Sequence, residues 1–198
     1  MAQSVNNSKR ITQGHKNTSP LATIRRMQIN LQHSTTATDN LIKLTEQDNS
    51  DIISIQESYL YKNRVVGLPK SSRHFTSRGD KCRAAIIITN NKIYAVLIKQ
   101  LSNPDSVLIE VKYNTRFFAG SMYFDITKEL ERELDTIEEL IDFRNRNELL
   151  IAVDSNSRSK TWHDSQTNKR GKILEEYIIS RNLHIMNEET SRRTIRIE

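Results

Sequence analysis

Residues 51–58 read DIISIQES. Apolar, mostly β-branched residues run through Ile52, Ile53 and Ile55, and the polarity changes abruptly at Gln56-Glu57. Such a run fits a central strand covered on both faces. A carboxylate at the end of that strand costs free energy unless it is solvated, paired or bound to a cation. For one strand alone, a simple exit to solvent at Glu57 is the commoner explanation. The case for chemistry rests on three other stretches that bring complementary groups to the same sheet edge.

Upstream, residues 27–32 (MQINLQ) alternate apolar and polar and read as the first ordered strand, with Asn30 on the face opposite Ile29 and Leu31. Ser34, Thr35 and Thr36 offer helix N-caps. A helix is expected over 38–47, with Ala37, Leu41, Leu44 and Ile42 as its apolar stripe and Asn49 as its stop. Strand, helix, strand reads as a crossover that sets 27–32 beside 51–57. Residues 1–20 are polar and aperiodic and read as disordered. Their basic, acid-free composition faintly resembles a transit peptide but lacks an apolar face, so a linker is expected. The expected division is 1–26 as a basic tail or linker and 27–198 as the folded domain.

Downstream, 58–81 is loop-rich, punctuated by Gly67, Pro69 and Gly79. Runs 83–89 and 92–98 look like strands joined at a hairpin-like Asn90-Asn91 turn, and 106–113 and 116–124 pair around Asn114. Four consecutive strands of this kind argue for antiparallel pairing and a mixed sheet. Residues 127–145 predict the clearest helix, with Leu130, Leu134, Ile137 and Ile141 on one face and Asp125 or Thr127 as cap. Strand 148–153 (ELLIAV) ends in Asp154-Ser155-Asn156. A loop over 157–167, a helix over 168–180 facing the core with Ile173, Leu174, Tyr177 and Ile178, and a short strand over 183–186 follow. Residues 191–198 open a basic, alternating segment.

The chain of 198 residues is 36% hydrophobic, enough for one substantial core. No apolar run reaches the length of a membrane span or resembles a secretory signal, so a nuclear or cytoplasmic, non-secreted protein without a membrane partner is expected. Cys82 is the single cysteine, which excludes an intrachain disulfide and thiolate-rich zinc sites. The net charge of +6 is concentrated: residues 1–38 hold five basic side chains and no acid, so the body is nearly neutral. Within the body, 62–83 carries net +6 and 158–172 net +4, while 129–142 is acidic. Arg64, Arg73, Arg78, Lys160 and Arg170 are therefore the candidate nucleic-acid contacts on one basic face, against the common alternative of solvated loops.

Four strand ends thus carry polar groups: Asn30, Glu57, Tyr123 and the pair Asp154/Asn156. An amide, a carboxylate, a phenol and an Asp-x-Asn turn have complementary uses in phosphodiester hydrolysis. Mg²⁺ takes oxygen ligands and commonly only one or two carboxylates, with water and phosphate completing its shell. Glu57 suits such a ligand, Asp154 could orient or deprotonate water, and Asn156 and Tyr123 could donate to a phosphate as charge develops.

The order of these pieces resembles a known family. N-L-Q-H-S at 30–34, I-Q-E-S-Y at 55–59, S-M-Y-F at 121–124, D-S-N-S at 154–157 and W…RG..LEE over 162–176 look like the endonuclease domain of arthropod non-LTR retrotransposons, within the exonuclease–endonuclease–phosphatase superfamily. The resemblance implies an α/β fold, a four-layered sandwich of two packed mixed or antiparallel sheets. It implies Mg²⁺-dependent (alternatively Mn²⁺-dependent) nicking of DNA to expose a 3′-hydroxyl that primes reverse transcription, within a longer retroelement polyprotein. By position it makes Glu57 the metal-binding glutamate and Asn30 the asparagine near that metal. Tyr123 matches the active-site tyrosine, and Asp154 and Asn156 the pair that positions water and phosphate.

Two departures stand out. Asp125-Ile126 follow Phe124 where the family usually has prolines, and the family's terminal S-D-H, with the aspartate on the strand before it, is absent from 27–198. The domain is therefore expected to be incomplete at its C-terminus, with an exposed sheet edge, and to nick DNA poorly by itself. His163 and His184 do not stand in for that histidine by context. Two other readings compete: a phosphatase of the same fold, and a non-catalytic DNA-binding or interaction module.

Overall fold

The computed structural model describes residues 23–47, 49–186 and 195–197. In chain order they form β1 (Arg26–Asn30), α1 (Thr35–Gln47), β2 (Ile52–Gln56), β3 (Leu60–Tyr61), β4 (Arg64–Val65), β5 (Arg73–Phe75), β6 (Ala84–Ile88), β7 (Tyr94–Leu97), β8 (Ser106–Lys112), β9 (Arg116–Tyr123), α2 (Leu130–Phe143), β10 (Glu148–Asp154), α3 (Lys169–Ser180) and β11 (Ile195–Ile197). The β-branched run quoted first is β2, buried at all five positions. It lies between parallel β1 and antiparallel β6 in a sheet of order β1-β2-β6-β5. The second sheet has the order β11-β10-β9-β8-β7, parallel only between β9 and β10.

Alternation along each strand divides its side chains between two faces. Ile53, Ile55, Ala85 and Ile87 meet Leu31 and Leu41 beneath α1. Ile52, Ile86 and Ile88 face the other sheet, against Val107, Ile109, Val111, Phe117 and Ala119. The far face of that sheet, with Leu108, Phe118, Met122, Ile151 and Val153, packs on Leu134, Ile137 and Leu140 of α2 and Leu174 and Ile178 of α3. Helix, sheet, sheet and paired helices make the four-layered α/β sandwich expected from the sequence.

Local readings hold where local chemistry decides. Ser34 caps α1 through the Ala37 amide at 3.2 Å, Asn49 closes it in a left-handed conformation (φ +47°), and Asn168 caps α3 through the Gly171 amide at 2.7 Å. Four readings are corrected. The runs around Asn90-Asn91 are not a hairpin: β6 belongs to the first sheet and β7 to the second. The Asn90 side chain turns the chain, accepting from the Lys92 amide at 2.9 Å and donating to Asp51 at 2.7 Å. Burial of Ile88 and Ile93 between the sheets then separates the strands. Helix α2 begins at Leu130 without a side-chain cap, because Asp125 binds the Thr127 amide (2.9 Å) and hydroxyl (2.7 Å) in a separate turn. Leu44 lies on the outer side of α1, 38% exposed. Residues 183–186 contain no strand, only a bridge residue at Ile185. The readings for 1–20 lie outside the described residues, as does that for 191–198 apart from β11, which pairs antiparallel with β10.

Candidate active site at the strand ends

The two pairs of parallel strands, β1–β2 and β9–β10, place the candidate residues by parity. Positions 52, 54 and 56 of β2 face the second sheet, positions 117, 119, 121 and 123 of β9 face the first, and Asn30 and Asp154 are the last residues of β1 and β10. The registers pair Asn30 with Gln56 and Tyr123 with Asp154. Four polar strand ends therefore come together at one rim, where ligands of open α/β sheets commonly bind.

Asn30 joins the two halves. Its Nδ2 donates to Glu57 Oε2 at 2.8 Å and also to Asp154 Oδ2, so carboxylates from opposite sheets share one amide nitrogen. Its Oδ1 accepts from the Gln32 amide at 2.7 Å. A backbone N–H can only donate, which fixes the orientation of the Asn30 amide. Glu57 is held in an uncommon backbone state, φ +49°, with its amide donating to the Arg83 carbonyl at 2.6 Å and its carbonyl accepting from the His33 amide at 2.8 Å. Gln32, His33 and Asn156 at the same rim also have positive φ (50°, 52° and 48°). Non-glycine residues in this region carry strain, and such strain collects at functional sites.

Tyr123 stands between the carboxylates and a cationic cluster. The Arg83 guanidinium lies 4.6 Å from its ring centroid and is anchored by Asp105 and Asp125, each at 2.6 Å. Burial, and then the neighbouring Glu57 charge, hold the Tyr123 hydroxyl above the usual tyrosine range, outweighing a hydrogen bond with Asn156. Asp125 sits well below the usual carboxylate range through the Thr127 amide and Arg83. Asn156 donates to the Phe124 carbonyl at 2.9 Å, and its amide N–H approaches Asp154 Oδ1 at 3.3 Å.

The turn that carries Asp154 and Asn156 is clamped from outside. Arg170 donates to the carbonyls of Ser155 (3.2 Å), Lys128 (2.9 Å) and Asp125 (3.3 Å), and the Trp162 indole donates to the Ser157 carbonyl at 3.2 Å. Glu175 accepts from Ser159 and from Thr161 (2.6 Å). At Gly171 an added Cβ would lie 1.8 Å from the Arg158 carbonyl oxygen, so only glycine lets α3 approach this loop so closely. The W…RG..LEE pattern is thus a frame for the Asp-x-Asn turn. Behind the rim, buried Gln56 donates to Ser121 Oγ (2.9 Å) and the Ala152 carbonyl (3.3 Å), bridging the sheets.

Two clefts flank the rim. One, about 590 Å³, is lined by His33, Tyr59, Asn63, Lys81 and Arg83 among others. The second, about 580 Å³, is bounded by Ile126, Asp154, Asn156, Trp162 and His163 among others. Of the candidate DNA contacts, Arg64, Arg73, Arg78 and Lys160 are exposed. Arg73 lies at the opposite end of its sheet, opposite Ile88, and donates to the Ile93 carbonyl. Arg170 is committed to three carbonyls. His33, which is 3.8 Å from Glu57, and Arg83, which supports Tyr123, were legible only as a motif letter and a basic-cluster member. Their neighbours come from distant segments, so no local signal marks them. Among the described residues no group of three or more His, Cys, Asp or Glu is arranged to hold a metal. Glu57 and Asp154, two carboxylates tied by an amide, fit the small protein donor set that Mg²⁺ uses when water and phosphate complete its shell.

Residues 117–198 match a family model described as endonuclease-reverse transcriptase. No curated protein matches the chain. The fold is similar to the endonuclease domain of TRAS1, a telomere-specific non-LTR retrotransposon, with a TM-score of 0.78 and 23% identity over 88% of this chain and 84% of that one. It is also similar to the human Nocturnin catalytic domain (TM-score 0.59, 14% identity, 88% and 80% coverage). A mannosyl-6-phosphatase of Bacteroides thetaiotaomicron is similar too (0.56, 12%, 88% and 84%). The chain has the endonuclease/exonuclease/phosphatase fold.

Proposed function

We propose that this chain is the DNA-nicking endonuclease domain of a non-LTR retroelement protein, a divalent-metal-dependent phosphodiesterase whose cut leaves a 3′-hydroxyl to prime reverse transcription. The observation that carries the reading is the single Asn30 amide nitrogen donating to both Glu57 and Asp154. A shared donor at the end of two parallel strand pairs holds two carboxylates where a phosphate and a cation can meet. The family match and the retrotransposon endonuclease among the similar structures favour DNA over a phosphomonoester.

In this reading Glu57 holds Mg²⁺ or Mn²⁺, which supplies charge neutralisation at the phosphate when bound. Asn30 keeps the Glu57 and Asp154 oxygens in place. Asp154 orients the attacking water and accepts its proton. The neutral Tyr123 hydroxyl and the Asn156 amide donate to the phosphate oxygens as negative charge grows. Arg64, Arg78 and Lys160, exposed among the described residues, face the DNA backbone in this reading.

The test is conversion of supercoiled plasmid to nicked circles with Mg²⁺, followed for hours. Glu57→Gln and Asp154→Asn are expected to lower the rate by about a hundredfold or more, and chelator to abolish it. Nicking that survives Glu57→Gln, or release of inorganic phosphate from sugar phosphates without DNA cleavage, overturns the reading.

A further inference from the structure

We infer that His33 supplies a nitrogen ligand to the cation held at Glu57, making a carboxylate–imidazole pair that favours Mn²⁺ and the later first-row divalent ions over Mg²⁺. The inference rests on the proposal that Glu57 is a metal ligand and adds a residue to that site.

The local chain places the ring. Asn30 Oδ1 accepts from the Gln32 amide, and Gln32 and His33 both take left-handed backbone conformations. This tight turn folds residue 33 back on the end of β2, where the His33 amide donates to the Glu57 carbonyl at 2.8 Å. His33 Nδ1 lies 2.8 Å from the Ser58 carbonyl oxygen. A carbonyl only accepts, so Nδ1 carries the hydrogen, which leaves Nε2 as the ring nitrogen that can offer a lone pair to a cation. Histidines bound to metals are usually oriented in this way, with the second ring N–H on a backbone carbonyl.

Nε2 is 3.8 Å from Glu57 Oε1. That is too long for a hydrogen bond, so neither atom is consumed by the other. Two metal–ligand bonds of about 2.1 Å each reach across it. The His33 side chain is 44% exposed and that of Glu57 22%, which leaves both open to water that could complete a coordination shell. Imidazole nitrogen is a poor ligand for hard Mg²⁺ and a good one for later divalent ions, so its presence shifts selectivity. His74, by contrast, has its Nε2 on the Pro69 carbonyl at 2.8 Å.

The experiment uses the full chain with Mn²⁺ as the probe. Electron spin-echo spectra of the bound ion report directly coupled imidazole nitrogen, and titration of free Mn²⁺ and Mg²⁺ gives affinities. The comparison variant is His33→Asn, because asparagine tolerates a left-handed backbone; circular dichroism confirms that it is folded. The wild type is expected to show the imidazole-nitrogen signal and His33→Asn to lose it. The variant's Mn²⁺ affinity should fall about tenfold or more, with a smaller change for Mg²⁺. Mn²⁺ that binds in a Glu57-dependent way but shows no imidazole nitrogen, or a signal that persists in His33→Asn, overturns the inference and leaves the metal role of Glu57 intact. Mn²⁺ affinity unchanged by Glu57→Gln overturns both.

Discussion

Gln56 on β2 and Ser121 on β9 meet in the space between the two sheets, the Gln56 Nε2 donating to the Ser121 hydroxyl at 2.9 Å. Ser121 in turn donates to the Ile55 carbonyl at 2.8 Å, and Gln28 donates to Gln56 Oε1 at 3.1 Å. Gln56 and Ser121 are both fully buried. This network sits directly behind Glu57 and locks the sheets in one relative position. Ser121→Ala is expected to cost about 1–3 kcal/mol, the penalty for leaving buried partners unmet. Urea denaturation measures it, and a loss within error would mean that the polar bridge does not hold the sheets.

Removing the shared donor should uncouple the carboxylates without removing either. Asn30→Leu leaves Glu57 and Asp154 with no common partner at a strained turn. The expected result is a loss of about ten- to a hundredfold in nicking rate at saturating Mg²⁺, with a smaller effect on unfolding free energy. An Asn30→Leu enzyme with wild-type kinetics would show that carboxylate placement does not depend on this amide.

Tyr123 makes a prediction about pH. Its hydroxyl is held above the ordinary tyrosine value by burial first and Glu57 second. A raised folded value means that the neutral phenol stabilises the fold fully below the unfolded value near 10, and that this contribution is lost as pH rises through the folded value. Tyr123→Phe should therefore lose less stability than the wild type between neutral pH and strongly alkaline conditions, measured by denaturant unfolding at stepped pH. Its nicking rate should drop about ten- to a hundredfold at neutral pH if the hydroxyl donates to the phosphate as proposed.

Arg170 and Gly171 act on the frame of the Asp154–Asn156 turn. Arg170→Ala orphans three carbonyls, and Gly171→Ala sets a Cβ against the Arg158 carbonyl. Each is expected to cost about 2 kcal/mol or more and to make the loop over 155–168 an early cleavage site in limited proteolysis. Protection of that loop in both variants would contradict the assignment.

The exposed and committed cations should separate in DNA binding. Arg64→Ala, Arg78→Ala and Lys160→Ala are each expected to reduce the slope of log K against log salt by about 1, measured by fluorescence anisotropy with duplex DNA. Arg73→Ala, at the far end of the sheet, should leave the slope unchanged. The opposite pattern would place the DNA elsewhere.

Much of this molecule is readable along the chain. The β-branched run of β2, the alternation of β1 and β9, the stripe of α2 and the side-chain caps of α1 and α3 are decided by neighbours a few residues apart. The polar ends at Asn30, Glu57, Tyr123 and Asp154 are visible for the same reason: each interrupts an apolar run. The Asn90-Asn91 connection shows where this stops. Its turn chemistry is local and correctly placed, but whether the flanking strands pair is decided by which sheet buries each of them.

Periodicity, polarity and turn chemistry were therefore set by the order of residues alone, because they depend on backbone geometry over one or two turns or pleats. Only the folded chain decided that one amide nitrogen serves two carboxylates, that Arg170 and Arg73 donate to backbone carbonyls, and that His33 lies beside Glu57. Those facts follow from strand parity, register and packing between segments far apart in sequence, and no window on the chain contains both partners.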